Sequence, residues 1–253
     1  MGLLDRSSNA TISFSPVTPA VKWLLIVNTG LFIVHFFLAR SGLDGLFLAL
    51  GLSPRDVLTG FAFWQPFTYM FIHSAFSFSH ILFNMLSLYM FGAPIEQAWG
   101  TRRFLRFYFV CGLGAAVFIV VLNLLFGSID ARTIGASGAI YGLLLAFGML
   151  FPEQMVLFAF IFPMKAKYFV MIIGAIVFFS SIGDAGGGVS HFAHLGGMVV
   201  AWLYIRSGKV YKRPPGLAFS LEQVYKDWKF RRAKKKFQVY LRKENPNRDR
   251  WTN

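Results

Sequence analysis

The stretch FLRFYFVCGLGAAVFIVVLNLLF, residues 104–126, carries a single charge, Arg106, and is otherwise almost wholly apolar. As an α-helix it extends about 35 Å at about 1.5 Å per residue, enough to cross a hydrocarbon core of about 30 Å. The rest of the chain agrees. Hydrophobic residues make up 56% of the 253, charged residues 14%, and the mean hydropathy is +0.56. That mix lies outside the range of a soluble globular domain and marks an integral membrane protein. Working outward, five more windows qualify as spans or nearly so: Val21 to Ala39, His80 to Trp99, Ser137 to Phe151, Tyr168 to Ile182 and His191 to Ile205. The expected fold is all-α and polytopic, with six transmembrane helices.

Residues 1–20 read as a polar lead, 21–207 as one membrane domain, and 208–253 as a basic tail that begins where Lys212-Arg213-Pro214-Pro215 breaks the last helix. The first apolar run has no small-residue cleavage site, so it is expected to be a retained span rather than a removed signal. Arg6 stands where a myristoylation signal wants Ser or Thr. Cys111, the single cysteine, has no partner for an internal disulfide.

The formal net charge of +14 is concentrated between Lys209 and Arg250, with Arg231, Arg232, Lys234, Lys235 and Lys236 at its densest point. Basic residues favour the cytoplasm. With six spans, the tail, the N-terminus, the Arg102-Arg103-Arg106 cluster and Lys165-Lys167 all fall on that side. The opposite loops hold Arg40, Asp44, Arg55, Asp56, Asp130, Arg132 and Asp184 without a cationic excess. Both termini are therefore expected in the cytoplasm, and segments two, four and six run from outside to inside. The tail interleaves Phe219, Val224, Trp228, Phe230, Phe237 and Tyr240 with its cations, which suits anionic lipid rather than nucleic acid.

Two connections are unusual. The loop from Arg40 to Ser79 is long and apolar, with Leu46, Phe47, Phe61, Phe63, Trp64 and Phe67, and is expected to enter the membrane interface in part. Met155 to Phe162, between Pro152 and Pro163, is too short to cross and is expected to be re-entrant or interfacial.

Segment four is about fifteen residues long and covers only about 23 Å of the core, so Ser137 at its start lies below the outer surface. Gly135 and Gly138 flank it, permitting a sharp turn and close helix approach. His194 lies at similar depth near the start of segment six. Gly196 and Gly197 follow it and are expected to pack on Gly138 and Gly142, bringing the imidazole toward the hydroxyl. A neutral His can take the proton of an attacking serine and return it to the leaving amine. No Asp or Glu sits at that depth in sequence, so a dyad is expected. Tyr141, one helical turn after Ser137, is placed to stack on the imidazole. His80 and Asn84, four apart near the outer end of segment two, are expected to donate hydrogen bonds to an oxyanion, helped by the N–H groups that open segment four. A metal site built on His191 and His194, or on His73 and His80, is the rival chemistry. No His-Glu-x-x-His is present, and the acid near that outer cluster is Asp184 in a glycine-rich loop. His35 is expected to be a satisfied interior residue.

Trp64 with Phe67-Thr68, His80-Ile81-Leu82-Phe83-Asn84, Glu96 with Trp99-Gly100, Gly135-Ala136-Ser137-Gly138 with Tyr141, and Ala193-His194-Leu195-Gly196-Gly197 occur in that order. Together they resemble the rhomboid intramembrane serine proteases over residues 20–207, the tail lying outside the match. The resemblance implies a six-helix bundle with a water-filled cavity opening outward. It implies Ser137 as nucleophile, His194 as general base, His80 and Asn84 as oxyanion donors and Tyr141 packed on His194, with no cofactor or metal. It further implies substrates that are single-span membrane proteins, cut near a helix end that contains helix-breaking residues. One departure is Gln65 after Trp64, where many family members have Arg. Members that serve only as binding or quality-control proteins lack the Ser or the His, and both are present here. The expected activity is thus a serine endopeptidase of a plasma membrane, that of a bacterium. The alternatives are a non-catalytic adaptor that binds transmembrane helices and, further off, a small-solute channel or transporter.

Overall fold

Glu96, on a later helix, holds the start of the first one. The computed structural model describes residues 16–126, 128–158, 161–183 and 189–208, with positions 229 and 232 besides. The polar lead before residue 16, Asp184 and the rest of the basic tail lie outside the described residues. The chain divides into two units, Met1–Val210 and Tyr211–Asn253. In the first, α1 (Pro19–Arg40) opens with Pro19 at its first turn, and its N-terminal N–H groups are capped by a distant carboxylate. Glu96 accepts from the Ala20 N–H at 2.9 Å and the Val21 N–H at 3.0 Å, and from the hydroxyls of Thr18 and, at 2.6 Å, Thr101. An anion at a helix start satisfies orphan donors and opposes the dipole. On α1 Ala20 is buried, and from Val21 the buried residues Leu24, Asn28, Phe32 and His35 recur every three to four positions, while Trp23, Ile26, Ile33 and Phe37 on the other side are apolar and exposed. A helix apolar on its outer face fits lipid rather than water.

The connection after α1 folds into α2 (Gly45–Leu48), α3 (Pro54–Thr59), α4 (Gln65–Thr68) and a tight turn at Tyr69–Phe71. It is a small helical layer, with Leu43, Leu46, Phe61, Phe63 and Trp64 left exposed. Next come α5 (Phe78–Ser87) and α6 (Ala93–Trp99), joined through a wide π turn at Leu88–Gly92. Pro94 has no N–H to offer the preceding turn, and the chain widens just before it. Gly100, at φ +78°, ends α6 and lets α7 (Thr101–Phe126) start at once in a new direction.

α8 (Ser137–Leu150) is the central post. Nine of its fourteen residues are buried, and it is apolar on every side, as a helix enclosed by others must be. α9 (Ala166–Gly183) and α10 (Val189–Arg206) complete the bundle. The packing register fixes their directions. A methyl on Gly142 would meet Cys111 Sγ at 2.7 Å and one on Gly138 would meet Ala115 Cβ at 2.6 Å, so α7 and α8 run antiparallel. Methyls on Gly114 and Gly196 would meet Val200 and Phe118 at 2.5 Å each, so α7 and α10 are antiparallel too. It follows that α8 and α10 run the same way and that their starts lie at one end.

By length and composition three of the described helical stretches suffice to cross a membrane: Pro19–Arg40, Phe78–Trp99 and Thr101–Phe126. The protein is a mostly helical integral membrane protein. It is not all-α. In the segment expected to be re-entrant or interfacial, Met155–Phe158 (β1) and Phe162–Lys165 (β2) form an antiparallel hairpin in register Met155↔Lys165 to Phe158↔Phe162. Prolines at 152 and 163 forbid a helix through the segment, and a run of Met, Val, Leu and Phe pairs readily as a ribbon whose edge strand tolerates Pro163. At its base the exposed Glu153 carboxylate binds Lys165 at 2.6 Å and also Lys167, which drive its pKa down to about 2.

Candidate active site

Ser137 is the first residue of α8. The chain reaches it through Gly135 at φ +120°, a conformation that L side chains avoid, and Ala136 then turns into the helix. His194 is on the first turns of α10, and its Nε2 lies 2.8 Å from Ser137 Oγ. The Tyr141 ring, one turn below Ser137, stacks on the imidazole at 4.0 Å between centroids and 14° between planes. A flat contact of this kind leaves the ring little freedom except in its own plane.

Small residues allow this approach. A methyl on Gly197 would stand 1.9 Å from the Gly138 carbonyl oxygen, and one on Gly142 would stand 3.2 Å from the Gly197 oxygen. Gly197 is thus the contact on Gly138 and Gly142. Gly196 is not: it faces the Phe118 side chain of α7, because residues one apart on a helix point in different directions.

His80 sits against the turn before the serine, with Nε2 at 2.8 Å from where a Cβ on Gly135 would be. Its Nδ1 accepts from the Ser74 N–H at 3.5 Å. That contact selects the tautomer with the proton on Nε2, so the ring presents a donor toward Gly135. Asn84 is buried on the same face, but its Nδ2 donates to the His80 carbonyl at 2.7 Å, and its Oδ1 has no partner. One amide hydrogen folds back on the helix and one remains for a ligand, so Asn84 is a partial donor rather than a fully free one. The first N–H groups of α8, at Ser137, Gly138 and Ala139, precede the first intrahelical bond, Ile140 N–H to Ala136 O at 3.1 Å. Of these, the Ser137 nitrogen lies 3.9 Å from the same Cβ position on Gly135 that His80 Nε2 approaches.

His35 is fully used: Nδ1 lies 2.9 Å from the His73 carbonyl, Nε2 lies 2.6 Å from Asp44, and the ring stacks on Phe47. The rings of His73 and His80 are 5.2 Å apart, and those of His191 and His194 6.2 Å.

The site has a second layer that the charge pattern alone did not suggest. The strip running up to Ser137 is laced to the loop after α1. Leu52 and Thr133 exchange both backbone hydrogen bonds, at 2.9 and 2.8 Å. The Arg55 N–H reaches Ile129 O at 2.9 Å, and the Gly135 N–H reaches Tyr69 O at 2.9 Å. Arg55 pairs in two-pronged fashion with Asp130, whose carboxyl it holds below the usual range. Arg132 pairs with Asp56 at 2.8 Å. Gln65 is buried, accepts from the Ser53 N–H at 2.9 Å and donates to Ala49 O at 3.2 Å and to Asp56 at 3.1 Å. Its amide thus does a locking job inside the loop. Partners about 75 residues apart in sequence leave no local signal by which they could be matched.

The fold and this end of the bundle define a helical membrane protein with a half-buried serine and histidine paired at one end of its helices. Comparison with known proteins supplies the family. The rhomboid domain model matches residues 60–208, and the chain belongs to the rhomboid family. It is 29% identical over 207 residues to RHOMBOID-like protein 12, mitochondrial, of Arabidopsis thaliana, a match covering 63% of this chain and 61% of that protein. It is 27% identical over 191 residues to YdcA of Bacillus subtilis (strain 168), provisionally named a rhomboid protease, covering 69% of this chain and 89% of that one. It is 24% identical over 187 residues to Rhomboid-like protease 3 of Toxoplasma gondii, covering 71% and 65%.

Proposed function

We propose that this protein is an intramembrane serine endopeptidase that cleaves transmembrane protein substrates in or next to their membrane-spanning helices. The 2.8 Å contact between Ser137 Oγ and His194 Nε2, in a family with named proteases, carries the reading. Ser137 Oγ attacks the scissile carbonyl while His194 Nε2 takes its proton, and the same nitrogen then returns the proton to the leaving amine. The carbonyl oxygen, now an oxyanion, lies among His80 Nε2–H, the remaining Asn84 amide hydrogen and the opening N–H groups of α8. Water enters by the reverse route: His194 deprotonates it, it attacks the acyl-serine, and Ser137 is regenerated. Tyr141 keeps the imidazole plane aimed at Oγ throughout. A substrate helix must unwind locally to present an extended backbone, so helix-breaking residues near the cut favour cleavage.

The finer topology belongs to the same reading. Six helices cross a bacterial inner membrane, with α8 short so that Ser137 sits below the outer surface, and both termini are cytoplasmic, where the basic tail meets lipid headgroups. The test is a fluorophosphonate probe and a transmembrane substrate, applied to the wild type, Ser137→Ala and His194→Ala in detergent. Labelling and cleavage are expected in the wild type and in neither variant. A folded wild type that neither labels nor cleaves overturns the reading.

A further inference from the structure

The guanidinium of Arg132 projects from the strip that leads to Ser137 into the loop after α1. It donates to the Leu48 carbonyl, to the Gly51 carbonyl at 3.4 Å and to Asp56 Oδ2 at 2.8 Å, the same oxygen that receives Gln65 Nε2 at 3.1 Å. The stem packs as closely as the head. A methyl on Gly51 would stand 3.1 Å from Arg132 Cγ and 2.9 Å from Ile134 Cγ2, so Gly51 leaves room for this strip. Where the family pattern puts Arg after the loop tryptophan, this chain has Gln65. The cation that ties the Leu48 and Gly51 carbonyls together is Arg132, three residues before Gly135.

We infer that Arg132 is a positioning residue for the serine chemistry: by fastening its strip to the loop it sets where Gly135, Ala136 and Ser137 stand relative to His80 and His194. The inference rests on reading Ser137 and His194 as a protease pair. Its physical basis is the softness of the intervening link. Between Arg132 and the rigid helix α8 lie five peptide units, one of them at Gly135 with φ +120°, and glycine resists rotation weakly. The Leu52–Thr133 ladder and the Gly135–Tyr69 bond hold the strip across its width. Arg132 fixes it at its far end through a charged, planar, several-pronged contact that backbone bonds cannot reproduce. Without that clamp the ladder still forms, so the fold survives while the serine end gains freedom. Displacements of about 1 Å at a reacting group cost up to about a hundredfold in rate.

The experiment uses the full-length protein in detergent and compares the wild type, Arg132→Ala, Arg132→Lys and the double variant Arg132→Ala/Gln65→Arg. It measures cleavage of a transmembrane substrate, the rate of fluorophosphonate labelling and the melting temperature. Arg132→Ala is expected to lower kcat and the labelling rate about tenfold or more, with KM within about twofold. Arg132→Lys, a point charge without the fork, is expected to recover little. The double variant returns a guanidinium to the loop from the loop's own chain and is expected to leave kcat low. Full recovery of kcat in the double variant would mean that the cation only props the loop, and overturns the inference. So does a folded Arg132→Ala with unchanged kcat. If Arg132→Ala does not fold, Asp56→Asn takes its place: it loosens the clamp from the other side, and an unchanged kcat in that variant likewise overturns the inference. A wild type that neither labels nor cleaves tells against the protease reading itself, a result distinct from these.

Discussion

Gly197 lies so close to Gly138 that a Cβ on it would stand 1.9 Å from the Gly138 carbonyl oxygen, and this backbone contact sets the distance between the helices bearing His194 and Ser137. Backbone cannot swing aside as a flexible side chain can. Gly197→Ala must therefore separate α10 from α8, at a cost of about 1–3 kcal/mol or more. The expected result is a lower melting temperature together with loss of probe labelling. Gly174→Ala on α9 is the control: a methyl there meets only Met198 Cε at 3.3 Å, and alanine is the better helix former. A Gly197→Ala protein that labels at the wild-type rate would show that the pairing of Ser137 with His194 does not depend on this contact.

The Tyr141 ring acts through its face on His194. Tyr141→Phe keeps that face and is expected to hold kcat within about twofold, whereas Tyr141→Ala frees the imidazole to turn away and lowers kcat about tenfold to a hundredfold. Steady-state cleavage assays separate the two. Equal losses in both variants would move the role from the ring to the hydroxyl.

Much of this arrangement was legible in the chain itself, for reasons tied to particular residues. Apolar runs bounded by charge or glycine mark helices well, and the window from Phe104 to Phe126 became α7 with its start moved only to Thr101, because Gly100 turns the chain there. The nearness of Ser137, Tyr141 and His194 followed from helical spacing and small residues, both local properties. The hairpin at Met155–Lys165 was not legible as such, since an apolar run between prolines shows its length and not its partner strand. Nor were Arg55 with Asp130 and Arg132 with Asp56, where charge balance was visible but pairing across about 75 positions was not. Asn84 shows a third limit. Its position on the face was readable, while the bond that folds its amide back to the His80 carbonyl depends on a rotamer.

Glu96 receives four donors from three directions, the Thr18 and Thr101 hydroxyls and the Ala20 and Val21 N–H groups. Only a carboxylate has the lone pairs to accept them all. Glu96→Gln replaces one acceptor oxygen by an NH2 group facing donors, and is expected to cost on the order of 2–3 kcal/mol. Because the carboxylate caps α1 rather than touching Ser137 or His194, the melting temperature should fall while kcat of the surviving folded fraction stays near wild type. A loss of kcat without a loss of stability would contradict that assignment.

Glu153 gives a pH-dependent handle outside the bundle. Hydrogen bonds from Lys165 and Lys167 bring its carboxyl from an ordinary value of 4.5 to about 2, against a small opposing effect of burial. A carboxyl whose pKa is depressed on folding contributes its full stabilisation above its unfolded value and loses it as the pH falls through the folded one. The link between the base of the hairpin and α9 is therefore complete at neutral pH and lost progressively from about pH 4.5 down to about pH 2. The pair is exposed, so added salt is expected to weaken it and the global melting temperature to respond little. Carbon NMR of the labelled Glu153 carboxyl is the direct measurement. Its midpoint should lie near 2 in the wild type and move up toward 4.5 when Lys165 and Lys167 are both replaced by Met. A midpoint near 4.5 in the wild type would mean that the two lysines do not hold the carboxylate in solution.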